Sequence, residues 1–74
     1  MWNKVNLKRK DGNLPAVGQR VLWATNEGSI TLNVFYNFIG EVTEDKKFID
    51  YGYGRYKLTS NYWWMPLPTR PEIE

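Results

Sequence analysis

The clearest pattern in the chain is an alternation of apolar and polar positions between residues 30 and 39. The even positions are all apolar or aromatic, whereas the odd positions are Thr31, Asn33, Phe35, Asn37 and Ile39. A period of two over such a length is typical of a β-strand that rests one face on a core, and β-branched and aromatic residues favour the same structure. We therefore predict a strand at 30–39 whose core-facing residues are Ile30, Leu32, Val34, Tyr36 and Phe38.

Phe35 and Ile39 stand on the odd face of this predicted strand. We expect them to pack beneath the N-terminal segment or the proline-rich end of the chain, as a second small core. If they were exposed, they would instead form an apolar patch of the kind that marks a partner site. The exposure of these two side chains therefore distinguishes the two arrangements.

Three shorter segments complete the pattern. Residues 20–25 read as a strand with apolar side chains on both faces, and the turn-forming residues at 26–29 predict a hairpin with the strand that follows. Residues 47–51 and 56–64 predict a second hairpin, with Gly52 and Gly54 in or near its turn. No segment carries a helical stripe. The sequence thus predicts a single all-β domain over 1–74, an antiparallel sheet of about four strands arranged as a meander or a half-open SH3-like barrel.

The end of the chain is stiffened by prolines. Pro66 and Pro68 hold φ near −65° and push the residues before them into extended geometry. We predict that residues 64–68 form a strap that closes the sheet, with Trp64 and Leu67 covering apolar side chains and Trp2 packing beside them. The alternative is that this segment is displayed to a partner with an aromatic groove, with Arg70 nearby.

Composition restricts the chemistry. The chain has no Cys and no His, which excludes a disulfide framework, a Cys/His metal site and catalysis by a Cys or His group. The acids cluster at Glu41, Glu44, Asp45 and Asp50, but they lack the spacing of a calcium loop and read as a solvated turn. We expect no enzyme activity, no metal and no cofactor, and neither a signal peptide nor a membrane span.

Aromatic residues supply the candidate binding site. A domain of this size needs large side chains for its core, and four Trp, five Tyr and three Phe exceed that need. The segment YGYGRY interleaves tyrosine, arginine and glycine, and Tyr, Trp and Arg are the residues enriched in protein–protein hot spots. We therefore predict a protein-binding patch made of Tyr51, Tyr53, Arg55, Tyr56 and Phe35.

Two other functions remain open. Residues 1–20 carry a net charge of +4 and the rest of the chain −2, a polarity that suits a nucleic-acid surface. Such a surface would use Lys8, Arg9, Lys10, Arg55 and Lys57. The total charge of only +2 argues for the protein-binding hypothesis, because affinity for nucleic acid grows with the number of phosphates neutralised. In the third reading, the aromatic patch is the interface of a homo-oligomer.

A set of short motifs resembles a known family. Trp2, the LP..G..VL box from Leu14 to Leu22 and the WMPLP signature at 64–68 resemble a family of short proteins of unknown function encoded by bacteriophages and prophages. The sequence has Trp63 where that family commonly has His. The resemblance implies a phage accessory protein in the cytoplasm of a bacterial host. It further implies a host protein as partner, such as a component of a defence system that the protein would inhibit in the manner of an anti-CRISPR protein.

Overall fold

A computed structural model describes residues 1–27 and 35–68 of the chain. These residues form one antiparallel sheet and no helix, which confirms the all-β prediction. None of them belongs to a helix that could cross a membrane. The strands are β1 Asn3–Lys4, β2 Val21–Thr25, β3 Tyr36–Val42, β4 Phe48–Asp50, β5 Arg55–Lys57 and β6 Tyr62–Pro66.

The sheet contains the predicted meander and extends it. Strands β2, β3, β4 and β5 each pair with the next along the chain, and β6 then returns to pair with the other side of β2. Strand β1 adds beyond β6, so the six strands lie in the order β1-β6-β2-β3-β4-β5 and the sheet is not closed. The predicted number of about four is too low, because β1 is too short to alternate visibly and β5 and β6 read as one segment.

The first hairpin exists in a different register from the predicted one. A turn confined to 26–29 would place Thr25 opposite Ile30, whereas Thr25 pairs with Tyr36. Residues 26–35 therefore connect the two strands, and Gly28 and Ser29 of the predicted turn lie outside the described residues. The change in register is an even number of residues, so the alternation keeps the same positions on the same face. The predicted core residues Ile30, Leu32 and Val34 lie outside the described residues.

The proline-rich segment does not cross the sheet as a strap. Tyr62–Pro66 is strand β6, paired on one side with β1 and on the other with β2. Pro66 is its last residue, where a missing N–H is tolerated, and Leu67 and Pro68 follow it as exposed residues. The strap prediction is wrong. The prolines impose an extended backbone, which is also the conformation of a strand, so this segment pairs with β2 along the edge that β3 does not occupy.

The core lies on one face of the sheet and is built around Trp23, which is fully buried. Its indole stacks on Phe38, with ring centroids 6.5 Å apart, and meets Tyr62 edge-on at 6.2 Å. The buried residues around it are Val5, Val21, Val42, Ile49, Leu58 and Tyr62, with Leu14, Phe38 and Trp64 packed against them. Tyr36, predicted in this core, is 49% exposed because it stands at the outer end of β3.

The second small core predicted around Phe35 and Ile39 is not formed. Phe35 is 51% exposed and Ile39 42% exposed. No strand among residues 1–27 and 35–68 packs over this side, because all six belong to the same sheet. We call this side the open face, defined by Trp2, Leu22, Phe35, Ile39, Trp63 and Met65.

Candidate binding surface

The hairpin of β4 and β5 presents the tyrosine-rich segment. Ile49 pairs with Tyr56 and Asp50 with Arg55. The turn between them is closed by a hydrogen bond from the Tyr51 N–H to the Gly54 carbonyl at 3.1 Å. Gly52 has φ +94°, a conformation open mainly to glycine, and its N–H donates to the Asp50 carboxylate at 2.9 Å. The glycines of this segment therefore form the turn that holds the tyrosines in place.

Tyr51 and Tyr56 form a stacked pair at the base of the turn. Their ring centroids are 4.5 Å apart with an interplanar angle of 17°. Phe38 meets both rings edge-on, at 6.2 Å from Tyr51 and 5.1 Å from Tyr56. Because Phe38 also stacks on Trp23, the pair is anchored to the core. Tyr56 is nevertheless 42% exposed, so a fixed aromatic surface faces outward.

Tyr53 and Arg55 extend this surface beyond the stacked pair. Tyr53 is 97% exposed at the tip of the turn. Arg55 is exposed as well, and its Nε lies 3.9 Å from the Asp50 carboxylate. Tyr51 and Tyr56 thus lie together on one face, whereas Arg55 precedes Tyr56 in β5 and stands on the other face beside Asp50. We call the four predicted binding residues of this hairpin the tyrosine surface: Tyr51, Tyr53, Arg55 and Tyr56.

Phe35 is separated from the tyrosine surface. It precedes β3 at an odd position and therefore belongs to the open face, whereas Phe38 points to the core. Its ring meets that of Trp63 edge-on at 5.4 Å. Together with Trp2, these rings line a shallow cleft of about 530 Å³. Phe35 therefore lies on the opposite face of the sheet from Tyr51 and Tyr56, whose rings contact Phe38, and the predicted patch of five residues is not formed.

An aromatic groove lies beside the tyrosine surface. It has a volume of about 530 Å³, and Tyr56 belongs to both features. Tyr36 and Tyr56 are its exposed aromatic residues, Phe38 is half-buried and Tyr62 is buried. The remaining lining residues are Thr25, Glu27, Lys57 and Thr59. We call this feature the Glu27 groove.

Glu27 is held in place by residues of the segment between β5 and β6. Its Oε1 accepts hydrogen bonds from Asn61 Nδ2 at 2.8 Å and from Thr59 Oγ1 at 3.3 Å. Its backbone N–H donates to Thr25 Oγ1, which in turn donates to the Asn61 carbonyl. Burial raises the pKa of Tyr62, and the negative charge of Glu27 raises it further. Sequence reasoning assigned Glu27 only to a turn, because partners more than 30 residues away leave no local signal.

The basic residues of the nucleic-acid hypothesis fall into two groups. Lys8, Arg9 and Lys10 lie in the loop after β1, whereas Arg55 and Lys57 belong to β5. Strands β1 and β5 are the two edges of the sheet. No hydrogen bond or ring contact among the described residues joins the groups. Arg9 and Arg55 each lie within ion-pair distance of an acid, so the structure gives this hypothesis no continuous basic surface.

The acidic residues form a turn and a shallow cleft. Glu41, Glu44, Asp45 and Asp50 line that cleft together with Arg55. Asp45 Oδ1 accepts hydrogen bonds from Thr43 Oγ1 at 2.6 Å and from the Lys47 N–H at 3.0 Å. Both bonds lower the pKa of Asp45, and the bond from Thr43 has the larger effect. In the described part of the chain, no three acids are grouped closely enough to hold a metal ion.

Comparison with known proteins adds no relative. The chain matches no protein-family model, no curated protein and no solved structure.

Proposed function

We propose that the protein acts by stoichiometric binding of a partner protein through the tyrosine surface, without catalysis. The observation that carries this proposal is the stacked Tyr51–Tyr56 pair, anchored on Phe38 and still open to solvent on Tyr56. Aromatic side chains held in one conformation offer a large contact area with little loss of conformational entropy on binding.

Tyr53 and Arg55 add the contacts that a bound partner would bury. Tyr53 is almost fully exposed, so it gains most from association, and Tyr and Arg are common hot-spot residues. The ion pair between Arg55 and Asp50 is exposed and long, at 3.9 Å. Such a pair contributes little to stability, which leaves the guanidinium group available to a partner.

The resemblance to the phage and prophage family suggests which proteins to test. It favours a partner among the proteins of a bacterial host, in the cytoplasm, including the components of defence systems. In such a setting, binding alone would suffice for inhibition, since occupying the working surface of a host protein requires no reaction.

Affinity capture with a matched pair of variants tests the proposal. We expect the wild-type protein to retain a host protein in stoichiometric amount from bacterial lysate. A Tyr53→Ala/Arg55→Ala double variant should retain about tenfold less of that protein, or still less. Lys10→Ala, an exposed change elsewhere, should retain the partner. Because Tyr53 and Arg55 are exposed, the double variant should unfold at the same urea concentration as wild type. Recovery of the protein alone, or equal capture by the double variant, would overturn the proposal.

The open face supports a second candidate function, self-association. Trp2, Phe35 and Ile39 are each more than 40% exposed on one side of the sheet, and exposed apolar groups at this density are typical of interfaces. We expect sedimentation velocity to show a dimer that a Phe35→Ser/Ile39→Ser variant converts to monomer. A wild-type protein that stays monomeric at high concentration would exclude this function.

A further inference from the structure

The walls of the Glu27 groove are aromatic and partly open. Tyr36 is 49% exposed and Tyr56 42% exposed, and Phe38 and Tyr62 lie between them on the core side. Phe38 contacts two of the other rings edge-on, Tyr56 at 5.1 Å and Tyr62 at 6.3 Å. The face of an aromatic ring carries negative charge density and attracts cations. A groove with such walls therefore favours a cationic guest over an anionic one.

The carboxylate of Glu27 strengthens this preference. Its Oε1 already accepts the hydrogen bonds from Thr59 and Asn61, so the side chain is oriented before any ligand binds. Within residues 1–27 and 35–68, Oε2 has no hydrogen-bond donor and no cation within ion-pair distance. An oriented carboxylate can accept a charge-assisted hydrogen bond from a cationic ligand, and such a bond is stronger than one between neutral groups.

We propose that the Glu27 groove receives an arginine side chain from the partner protein, stacked on Tyr36 or Tyr56 and hydrogen-bonded to Glu27. Arginine fits better than lysine because its planar guanidinium group stacks on aromatic rings and donates to a carboxylate in the same plane. This inference rests on the proposed protein-binding function, since Tyr56 joins the groove to the tyrosine surface and one partner can contact both.

Lys57 refines the chemistry of the partner segment. It lines the groove and, among the described residues, forms no ion pair with Glu27. Its ammonium group disfavours a second positive charge beside the arginine. We therefore expect the partner segment to carry an acidic residue next to the arginine rather than a run of basic residues.

The test uses short synthetic peptides as probes. The first is an acetylated, amidated peptide with one arginine, flanked by proline and followed by glutamate. The second has citrulline in place of arginine, which keeps the shape and removes the charge. Titrations followed by amide chemical shifts should show the arginine peptide shifting Glu27, Tyr36 and Tyr56, and the citrulline peptide binding about tenfold more weakly.

Variants of the full chain locate the binding. Glu27→Gln retains a side-chain oxygen, now of an amide, that can accept from Thr59 and Asn61, so the fold should persist while affinity for the arginine peptide falls about tenfold. Tyr36→Ala removes an exposed wall and should weaken binding without changing the urea midpoint. Glu44→Gln makes the same charge change at an exposed position outside the groove, and it should bind as wild type does.

Each alternative outcome overturns the inference. Equal binding of the arginine and citrulline peptides, or full binding by Glu27→Gln, excludes recognition of a cation by this carboxylate. Self-association that is lost on deletion of residues 69–74, which include Arg70, would make a second copy the occupant instead of a partner protein. The proposed function fails separately, when the Tyr53→Ala/Arg55→Ala variant still captures a host protein.

Discussion

The indole of Trp23 donates a buried hydrogen bond to the carbonyl oxygen of Gly40, with 3.1 Å between Nε1 and O. The two residues lie on paired strands, β2 and β3, and the side chain of Trp23 is fully buried. The bond therefore satisfies the one polar group of the largest side chain in the core. It also ties the centre of the core to the strand that carries Phe38 and, through it, the tyrosine surface.

Replacing Trp23 with Phe should cost about 3 kcal/mol of unfolding free energy. The change leaves a space in the core and removes the donor to Gly40, and both effects are costly at a buried site. Trp63→Phe is the matched control, because Trp63 is half-buried on the open face; its cost should be below about 1 kcal/mol. Urea unfolding of the two variants measures the difference, and equal losses would contradict the central role of Trp23.

Gly40→Ala should destabilise the sheet by about 2 kcal/mol, as overpacking does in a closely packed site. A Cβ at this position would lie 2.8 Å from the Asp50 carbonyl oxygen and 3.0 Å from Ile49 Cγ2, so the backbone of β4 would have to move. At Gly54, a Cβ would meet the side chain of Tyr51 and no backbone, at 3.1 Å from its hydroxyl oxygen and 3.4 Å from Cζ. Gly54→Ala should therefore be milder in thermal unfolding, and a reversed order would contradict the close approach of β3 and β4.

Asp45→Asn should destabilise the protein at neutral pH and have little effect in strong acid. Hydrogen bonds from Thr43 and Lys47 lower the pKa of Asp45 from its usual value of 3.8. Its stabilising contribution is therefore present above about pH 4 and lost as the pH falls through the lower pKa of the folded state. Urea midpoints at neutral and acid pH measure the effect, with Glu44→Gln as control. A variant effect that is independent of pH would contradict this role.

Tyr62 should limit stability in alkali. Burial and the charge of Glu27 raise its pKa above the usual value of 10.0. The folded state thus holds the phenol proton more tightly, and this contribution is full below about pH 10 and lost as the pH rises through the raised value. Tyr62→Phe should move the alkaline unfolding transition to higher pH, as followed by circular dichroism. Tyr53→Phe, at the exposed tip, should leave it in place.

Local pattern and turn chemistry were enough to predict much of this fold. Alternation identified β2 and β3 as strands, and Gly52 and Gly54 marked the turn that the structure places between β4 and β5. The same segment supplied four members of the tyrosine surface. These features depend on residues within a few positions of one another, and both the period of a strand and the demands of a tight turn are local properties.

Pairings between distant residues decided the rest. Strand β6 inserts between β1 and β2, the register of β2 and β3 places Thr25 opposite Tyr36, and Glu27 meets Asn61. These pairings and contacts depend on which parts of the chain are buried against each other. Residues far apart in the sequence determine that arrangement together. The sequence alone thus determined that the chain forms an aromatic-rich β-sheet with a tyrosine turn. Only the tertiary structure decided which face of the described sheet is open and that a carboxylate stands beside the tyrosines, because burial and hydrogen bonding there join residues more than 30 positions apart.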